Sequence, residues 1–248
     1  MDKDTWNNFV KAKERFKKET EKIRLALPDL KNIQQKLADS RSYTVETPVV
    51  YNNALDDITI DDEIKLILVA DNPGRREQAA ENRKYLIGPS GKIAKKFFSD
   101  NPSLGIDFTK NVIILNKTPV HTPRTNELRQ LCLMDNLLGA ALDKSQKSMA
   151  LTLLEFHKAL DCPVWITGYS EMRRGGIFEV YTKSIKELYS EPGNQKLYKK
   201  VFIYRHFSMN QFTIDLKKQR FQEENVLKSL KRIGIEYRNR ILESASLP

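Results

Sequence analysis

Short runs of apolar residues alternate along the chain with longer segments of helical periodicity. Four runs have the length and composition of buried strands. They lie at 65–70, 111–115, 163–167 and 200–204. The intervening and following segments predict helices at 91–98, 127–142, 146–160, 177–189 and 220–233. Because strands that alternate with helices are typical of a parallel sheet covered on both faces, the pattern predicts a three-layer α/β/α fold with a central, mostly parallel four-stranded sheet.

An amphipathic segment precedes this pattern. Phe9 and Phe16 belong to an apolar stripe at helical spacing within 5–26, and Pro28 is expected to end that helix. A second short helix is predicted at 33–37. The stripe favours packing on the main domain, with contact to nucleic acid as the alternative for its lysine-rich side.

These patterns divide the chain into three segments. Residues 1–41 form a basic N-terminal helical arm, and 42–62, with a proline, paired asparagines and an acidic cluster, form a connector. Residues 63–248 form the α/β domain.

The excess of basic residues suggests a binding partner for the protein. The 248 residues include 42 Lys and Arg against 32 Asp and Glu, a net charge of +10. Much of the excess lies in 195–241, which holds 12 basic and 4 acidic residues. A surplus of this size favours a polyanion such as nucleic acid, although a solvated lysine-rich surface explains it equally well.

Composition also excludes several classes of protein. Mean hydropathy is −0.54 and no apolar run approaches the roughly 20 residues of a membrane span, so no membrane partner is expected. No apolar stretch follows Met1, which argues against a signal peptide and for a cytoplasmic location. Cys132 and Cys162 are too few for a disulfide framework or a four-thiolate metal site.

Polar residues follow each predicted strand. Ligands of parallel sheets bind beyond the carboxyl ends of the strands, where Asn72, Asn116 and His206 stand. We therefore expect these three side chains to line a single pocket. An asparagine amide can read a base edge because it offers both a donor and an acceptor, and a histidine can donate to a developing anion. Each residue alone also suits an ordinary turn, and their joint placement favours a site.

The residues at these strand ends resemble motifs of the uracil-DNA glycosylase superfamily, in particular its bacterial and archaeal iron–sulfur branch. Val-Ala-Asp-Asn-Pro-Gly at 69–74 and Leu-Ile-Gly-Pro-Ser-Gly-Lys at 86–92 resemble the first motif. Ile-Ile-Leu-Asn at 113–116 resembles the strand whose asparagine reads uracil. His-Phe-Ser-Met-Asn at 206–210 resembles the histidine loop that contacts uracil and wedges into DNA. The resemblance covers about 64–212 and implies DNA as the partner of a monomeric enzyme.

The implied reaction is hydrolysis of the bond between uracil and deoxyribose in a flipped-out nucleotide. By the resemblance, Asn116 pairs with the uracil edge and His206 stabilises the charge that develops on the base. Asn72 orients the attacking water, with Asp71 as the second candidate for that role. Tyr85 or Leu86 covers one face of the base.

The resemblance also implies which residues contact the DNA backbone and which residue wedges into the DNA duplex. Gly74 permits close approach of the first loop to the base, and Gly88 and Ser90 open a helix that presents amides to a phosphate, with Ser90 as its N-cap. Met209 or Asn210 is the expected wedge. The remaining predicted backbone contacts are Lys92, Arg173, Arg174 and Ser208.

Several residues depart from the iron–sulfur branch. Two cysteines cannot ligate its cluster, and His121 and His157 lack metal-ligand spacing, so no cofactor and no metal are expected. Asn72 resembles the mismatch-specific and single-strand-selective branches instead. Phe207 replaces the usual proline of the last motif. The departures leave three alternatives to uracil excision: a non-catalytic nucleic-acid-binding protein, a glycosylase for hypoxanthine or xanthine, and a hydrolase of free nucleotides or nucleosides.

Overall fold

Four parallel strands form the centre of the fold. The computed structural model describes residues 1–221 and 224–243. The strands are β1 (Leu66–Ala70), β2 (Val112–Asn116), β3 (Val164–Thr167) and β4 (Val201–Tyr204), in the sheet order β2-β1-β3-β4. The predicted three-layer fold and four-stranded sheet are confirmed. All four strands run in one direction, so their carboxyl ends meet at one edge of the sheet.

Helices surround the sheet. The α-helices of the described chain are α1 (Lys3–Ala26), α2 (Leu30–Asp39), α3 (Pro89–Asp100), α4 (Glu127–Met134), α5 (Asn136–Leu160), α6 (Glu179–Ser190), α7 (Gln195–Tyr198), α8 (Gln211–Gln219) and α9 (Val226–Arg238). None of the helices described combines the length and apolar character that a bilayer crossing requires.

An aromatic cluster holds α3 and α8 on one face of the sheet. Trp165 of β3 stacks on Phe98 of α3 at 5.4 Å and on Phe212 of α8 at 5.9 Å between ring centroids. Gly234 lets α9 approach β4, because a Cβ there would lie 2.7 Å from the Cβ of Phe202. Helix α5 packs against both α1 and α6.

The N-terminal arm packs on the domain, as its stripe predicts. Phe9 is fully buried and its ring lies 5.5 Å from that of Phe156 on α5. Asp2 caps α1 by accepting from the amide of Thr5 at 2.7 Å. The predicted connector at 42–62 also contributes to the core, since Val50 is buried and its amide donates to the carbonyl of Pro119.

Several helix boundaries differ from the prediction, and the short helix expected at 33–37 extends over Leu30–Asp39. The break expected between 142 and 146 falls at Asp135, whose extended backbone ends α4 and whose side chain caps α5 at the Leu137 amide. Gly88 occupies the N-cap of α3, so the assignment of that role to Ser90 is wrong and Ser90 lies in the first turn.

The helix predicted at 220–233 is also wrong at its start. Residues 222–223 of that range, like 244–248 of the predicted domain, lie outside the described residues. Helix α9 begins only at Val226, where the Asn225 side chain accepts from the Lys228 amide at 2.8 Å. Helix α8, which precedes it, has no counterpart in the prediction.

Candidate active site

A cavity of about 500 Å³ opens at the carboxyl edge of the sheet. Asp71 and Asn72, after β1, and His206, after β4, line it together. The segment after β2 contributes 122–125, and the start of α3 closes another side. Two of the three side chains expected in one pocket are therefore brought together, and a ligand of nucleotide size fits a cavity of this volume.

The hydrogen bonds of His206 determine its tautomer. Its Nδ1 accepts from the amide of Ser208 at 3.0 Å, so the ring proton lies on Nε2 and is available to a ligand in the cavity. Burial lowers the pKa of His206; the carboxylate of Asp71 opposes this shift and the ammonium of Lys117 adds to it. The imidazole is therefore neutral near pH 7 and acts as a donor.

A chain of hydrogen bonds orients the Asn72 amide. The hydroxyl of Thr122 donates to the carbonyl oxygen of Arg124 at 2.9 Å and consequently accepts from Asn72 Nδ2, also at 2.9 Å. The same Nδ2 donates to the Thr122 carbonyl at 3.1 Å. Nδ2 also lies 3.3 Å from the carbonyl oxygen of Pro73. Since the protein itself supplies acceptors for Nδ2, the Oδ1 atom is left to accept from a molecule in the cavity.

Asp71 forms a buried ion pair that the sequence pattern did not predict. Its Oδ1 lies 2.6 Å from Nζ of Lys117, which is fully buried and also donates to main-chain carbonyls of Ala70 and Thr167. Burial alone would raise the pKa of Asp71, but the Lys117 ammonium holds it below its usual range. An ionised, paired carboxylate is a weak base, which favours Asn72 over Asp71 as the residue that positions water.

Gly168 makes room for this ion pair. Its φ of +88° is a left-handed conformation, and a Cβ there would lie 2.2 Å from Asp71 Oδ1. Glycine therefore satisfies both the backbone conformation and the close approach of the carboxylate.

Asn116 lies at the end of β2, opposite Ala70, which lines the cavity. The prediction that Asn116 itself lines the pocket is wrong for this structure, because the side chain is only 1% exposed and does not belong to the cavity lining. Within the part of the chain that the structure describes, neither Oδ1 nor Nδ2 has a hydrogen-bond partner. A buried amide group without a partner lowers the free energy of unfolding by about 1–3 kcal/mol, which makes Asn116 a candidate for contact with a ligand.

Tyr85 and Leu86, the two residues expected to cover the base, have different surroundings in the structure. Tyr85 is buried in the core and its hydroxyl donates to the carbonyl of Val50, so the prediction that it covers the base is wrong. Leu86 lines the cavity with a φ of +55°. Gly91 accommodates that turn, because a Cβ on it would lie 1.5 Å from the Leu86 carbonyl oxygen.

The predicted wedge residues stand on a strained turn beside His206. Met209 and Asn210 have φ values of +51° and +58°, and the Met209 side chain is 83% exposed. Consecutive left-handed residues other than glycine are uncommon and point to a constrained functional loop. Phe207 anchors this loop in the core, since it is buried and its ring centroid lies 4.3 Å from that of Phe212 in a stacked arrangement. Its presence in place of proline therefore has a structural reason.

The predicted DNA contacts divide between the cavity and the surrounding surface. Gly74, Gly88, Ser90 and Ser208 line the cavity. Lys92 is absent from its lining and faces a neighbouring apolar cavity of about 320 Å³. Arg173 and Arg174 are exposed after β3, outside the cavity, where Arg173 lies over the ring of Tyr169 at 5.7 Å.

Three exposed arginines at the cavity were not predicted. Arg75 and Arg76 follow the first motif directly, and Arg124 follows β2. Guanidinium groups bind phosphate in two-point contacts, so this rim suits a nucleic-acid backbone. The pair Arg75 and Arg76 directly after the first motif is visible in the sequence, but a count of charges over long segments does not reveal it.

His121 supports the first loop from behind. Its Nδ1 lies 2.8 Å from the carbonyl oxygen of Pro73 and its Nε2 lies 2.9 Å from the Tyr43 hydroxyl. Because the carbonyl can only accept, Nδ1 carries the proton and Nε2 accepts. Burial lowers the pKa of His121 to about 4, and it lowers that of His157, on α5, to about 4 as well.

These histidines predict a loss of stability in acid. Each takes up a proton more readily when unfolded, near pH 6.5, than when folded, near pH 4, so each lowers the free energy of unfolding as the pH falls between these values. The loss approaches about 3 kcal/mol per histidine at pH 4. Urea unfolding of the wild type and His157→Gln at pH 7 and pH 4.5 measures it. The free energy of unfolding of His157→Gln minus that of the wild type should be more positive at pH 4.5 than at pH 7. An equal difference at the two pH values would contradict the prediction.

Comparisons with known proteins do not extend these findings. The chain was searched against protein-family models and curated proteins, and neither search found a match. Among the described residues, no group of three or more side chains could hold a metal ion.

Proposed function

We propose that this chain is a DNA glycosylase that hydrolyses the bond between uracil, or a related deaminated base, and deoxyribose. One observation carries the proposal: a neutral histidine donor and an oriented asparagine line the same cavity, close to a second asparagine whose amide has no hydrogen-bond partner among the described residues. Residues His206, Asn72 and Asn116 supply these groups from three different strand ends. A turn that only connects a strand to the next helix would not require any of these three side chains.

The chemistry follows from the hydrogen bonds. A flipped uracil in the cavity would direct its edge toward Asn116, which lies next to the cavity-lining Ala70 in the sheet. As the glycosidic bond breaks, negative charge develops on the uracil O2, and the Nε2–H of His206 stabilises it. Asn72 Oδ1 accepts a hydrogen bond from the water that adds to the sugar, and the proton that this water loses passes to the departing uracil anion, so that neutral uracil and an abasic sugar result. The ionised Asp71 stabilises positive charge on the sugar.

Two features support DNA as the substrate. Arg75, Arg76 and Arg124 place positive charge at the cavity mouth, where the phosphates of a flipped nucleotide would lie. The exposed Met209 stands beside His206, where an apolar side chain would fill the gap left by the extruded base.

Base release tests this proposal. Oligonucleotides that carry uracil, hypoxanthine or xanthine, single- and double-stranded, would be incubated with the protein and treated with alkali to reveal abasic sites. Strand cleavage at uracil is the expected result. Salt-sensitive binding without release of any base would instead support a non-catalytic protein, an alternative favoured by the aliphatic side chain of Leu86 at the position expected to cover the base. Activity on nucleosides alone would support a hydrolase of free substrates.

Asn116→Asp tests the proposed reading of the base. A carboxylate accepts from cytosine N4 but cannot donate to uracil O4, so we expect release of uracil to fall by about 10–100-fold relative to release of cytosine. Competition between uracil and cytosine oligonucleotides measures the ratio. An unchanged ratio would remove Asn116 from base recognition while leaving the reaction intact.

A further inference from the structure

A second cavity, of about 320 Å³, lies beside the candidate active site, and none of the roles above explains it. Leu86 lines both cavities, so the two are adjacent across the segment that leads into α3. The strand β2 at the edge of the sheet, the first turns of α3 and part of the connector contribute the other walls. A chain molecule held in the active-site cavity therefore needs only to cross Leu86 to reach the second cavity.

The interior of the second cavity is apolar and includes an aromatic ring. Leu55 and Ile58 line it from the connector. Phe108 lines it as well, and this partly buried ring stacks on Phe98 of α3 at 5.7 Å between centroids. Asn52 also belongs to the lining, but its side-chain amide is already used in hydrogen bonds to the backbone. The cavity therefore suits a flat heterocycle that is held by stacking and apolar contact rather than by the reading of its edge.

Positive charge accompanies this apolar interior. The cavity is lined by four lysines, Lys84, Lys92, Lys95 and Lys110. Lys84 pairs with Asp57 at 2.7 Å, whereas the other three lysines form no ion pair within the described part of the chain. The carboxylate of Asp107 acts on Lys95 and Lys110 but leaves a surplus of positive charge. Apolar surface bordered by unpaired ammonium groups is complementary to a nucleic-acid strand, which carries flat bases on an anionic backbone.

We propose that the second cavity binds an unpaired base of single-stranded DNA, next to the nucleotide in the active-site cavity, while Lys92 and Lys95 bind the phosphates of the same strand. The inference rests on the proposed function and deepens it, because it makes single-stranded DNA the favoured substrate. A base in a duplex is paired and stacked on its neighbours, so it enters such a cavity only after it has been unstacked.

The continuity of the two cavities favours this occupant over others. An acidic peptide of a partner protein would also be attracted by the lysines, but it would gain nothing from a cavity that adjoins the active site. A strand that places one base in each cavity gains from both, and Lys92 lies in the turn of α3 that follows the segment shared by the two cavities.

Phe108→Leu tests the binding of the base. The leucine keeps an apolar side chain against Phe98 and removes the aromatic face. We expect the affinity for an oligothymidylate of about 16 nucleotides to fall about tenfold, and the affinity for the same strand annealed to its complement to change by less than about twofold. The oligothymidylate contains no uracil, so the measurement does not depend on base release. Ala54→Phe, which occupies the cavity from the connector, should have the same effect and keeps the test open if Phe108→Leu does not fold.

The double variant Lys92→Ala, Lys95→Ala tests the phosphate contacts. Each contact with a single strand contributes about 0.7 to the slope of log affinity against log salt concentration, so the magnitude of the slope should fall by about 1.4. Lys96→Ala is the matched control, because Lys96 lies on the same helix but pairs with Asp100 at 3.1 Å and does not line the second cavity. The control should keep the wild-type slope.

The results separate the second cavity from the reaction. Loss of single-strand affinity in Phe108→Leu or Ala54→Phe, with duplex affinity retained, would support the proposal, even if the wild type released no base and the glycosylase were rejected. Equal losses for both forms of DNA would overturn it, since they would indicate a merely structural role. Single-strand affinity that is unchanged in every variant would also overturn it and would leave the cavity to an acidic peptide, whatever the result of the base-release assay.

Discussion

Replacement of His206 with alanine is expected to slow uracil release by about 10²–10³-fold, the usual effect of removing one donor to a developing oxyanion. Ser208 donates its amide to Nδ1, so the imidazole presents Nε2–H without a change of tautomer during the reaction. This donor interacts more strongly with the charged leaving base than with the bound substrate. The variant should therefore lose rate and keep its affinity for DNA within a few-fold.

Single-turnover rates and equilibrium binding, both at pH 8, separate the two effects. Ser208→Ala is the matched control, because it keeps the backbone amide that fixes the tautomer and removes only the side chain proposed to contact phosphate. We expect it to bind more weakly and to react at nearly the wild-type rate once bound. If His206→Ala instead lost affinity and kept its rate, the histidine would be a binding residue and the proposed mechanism would be wrong.

The strands and layers of this fold could be predicted because their cause is local. Strands buried on both faces require continuous apolar runs, as at Leu66–Ala70, and helices require a periodic apolar stripe. Helix breaks could not be placed in the same way. Residues 127–160 are helical in pattern almost throughout, and the interruption at Asp135 depends on one side chain that caps the following helix. Periodicity alone does not distinguish such a cap from a surface aspartate.

The candidate site was predictable only as far as topology determines it. Parallel strands bring Asn72 and His206 to one edge, and their types suggest their chemistry. Lys117 could not be identified because a lysine after a strand is ordinarily exposed, whereas here burial and three oxygen partners decide its role. Tyr85 was misassigned for a related reason, since only the structure shows the core position that Phe16 and Val50 create around it.

Replacement of Lys117 with methionine is expected to lower the free energy of unfolding by about 3–5 kcal/mol, because it leaves Asp71 buried without its counter-charge. The ammonium has no exposed surface and satisfies two main-chain carbonyls besides the carboxylate. The variant should also lose base release, as Asp71 takes up a proton and no longer stabilises charge on the sugar. Urea unfolding at pH 7 measures the first effect.

The double variant Asp71→Asn, Lys117→Met distinguishes an unpaired charge from a packing defect. With both charges removed, most of the lost stability should return, since a neutral amide does not require a buried counter-charge. The exposed pair of Lys96 and Asp100 is the control, and Lys96→Met should change stability by no more than about 1 kcal/mol. Lost stability that does not return in the double variant would mean that Lys117 acts through packing and its carbonyl contacts. Recovered stability without recovered activity would show that the reaction requires the Asp71–Lys117 ion pair itself and not only the stability that it supplies.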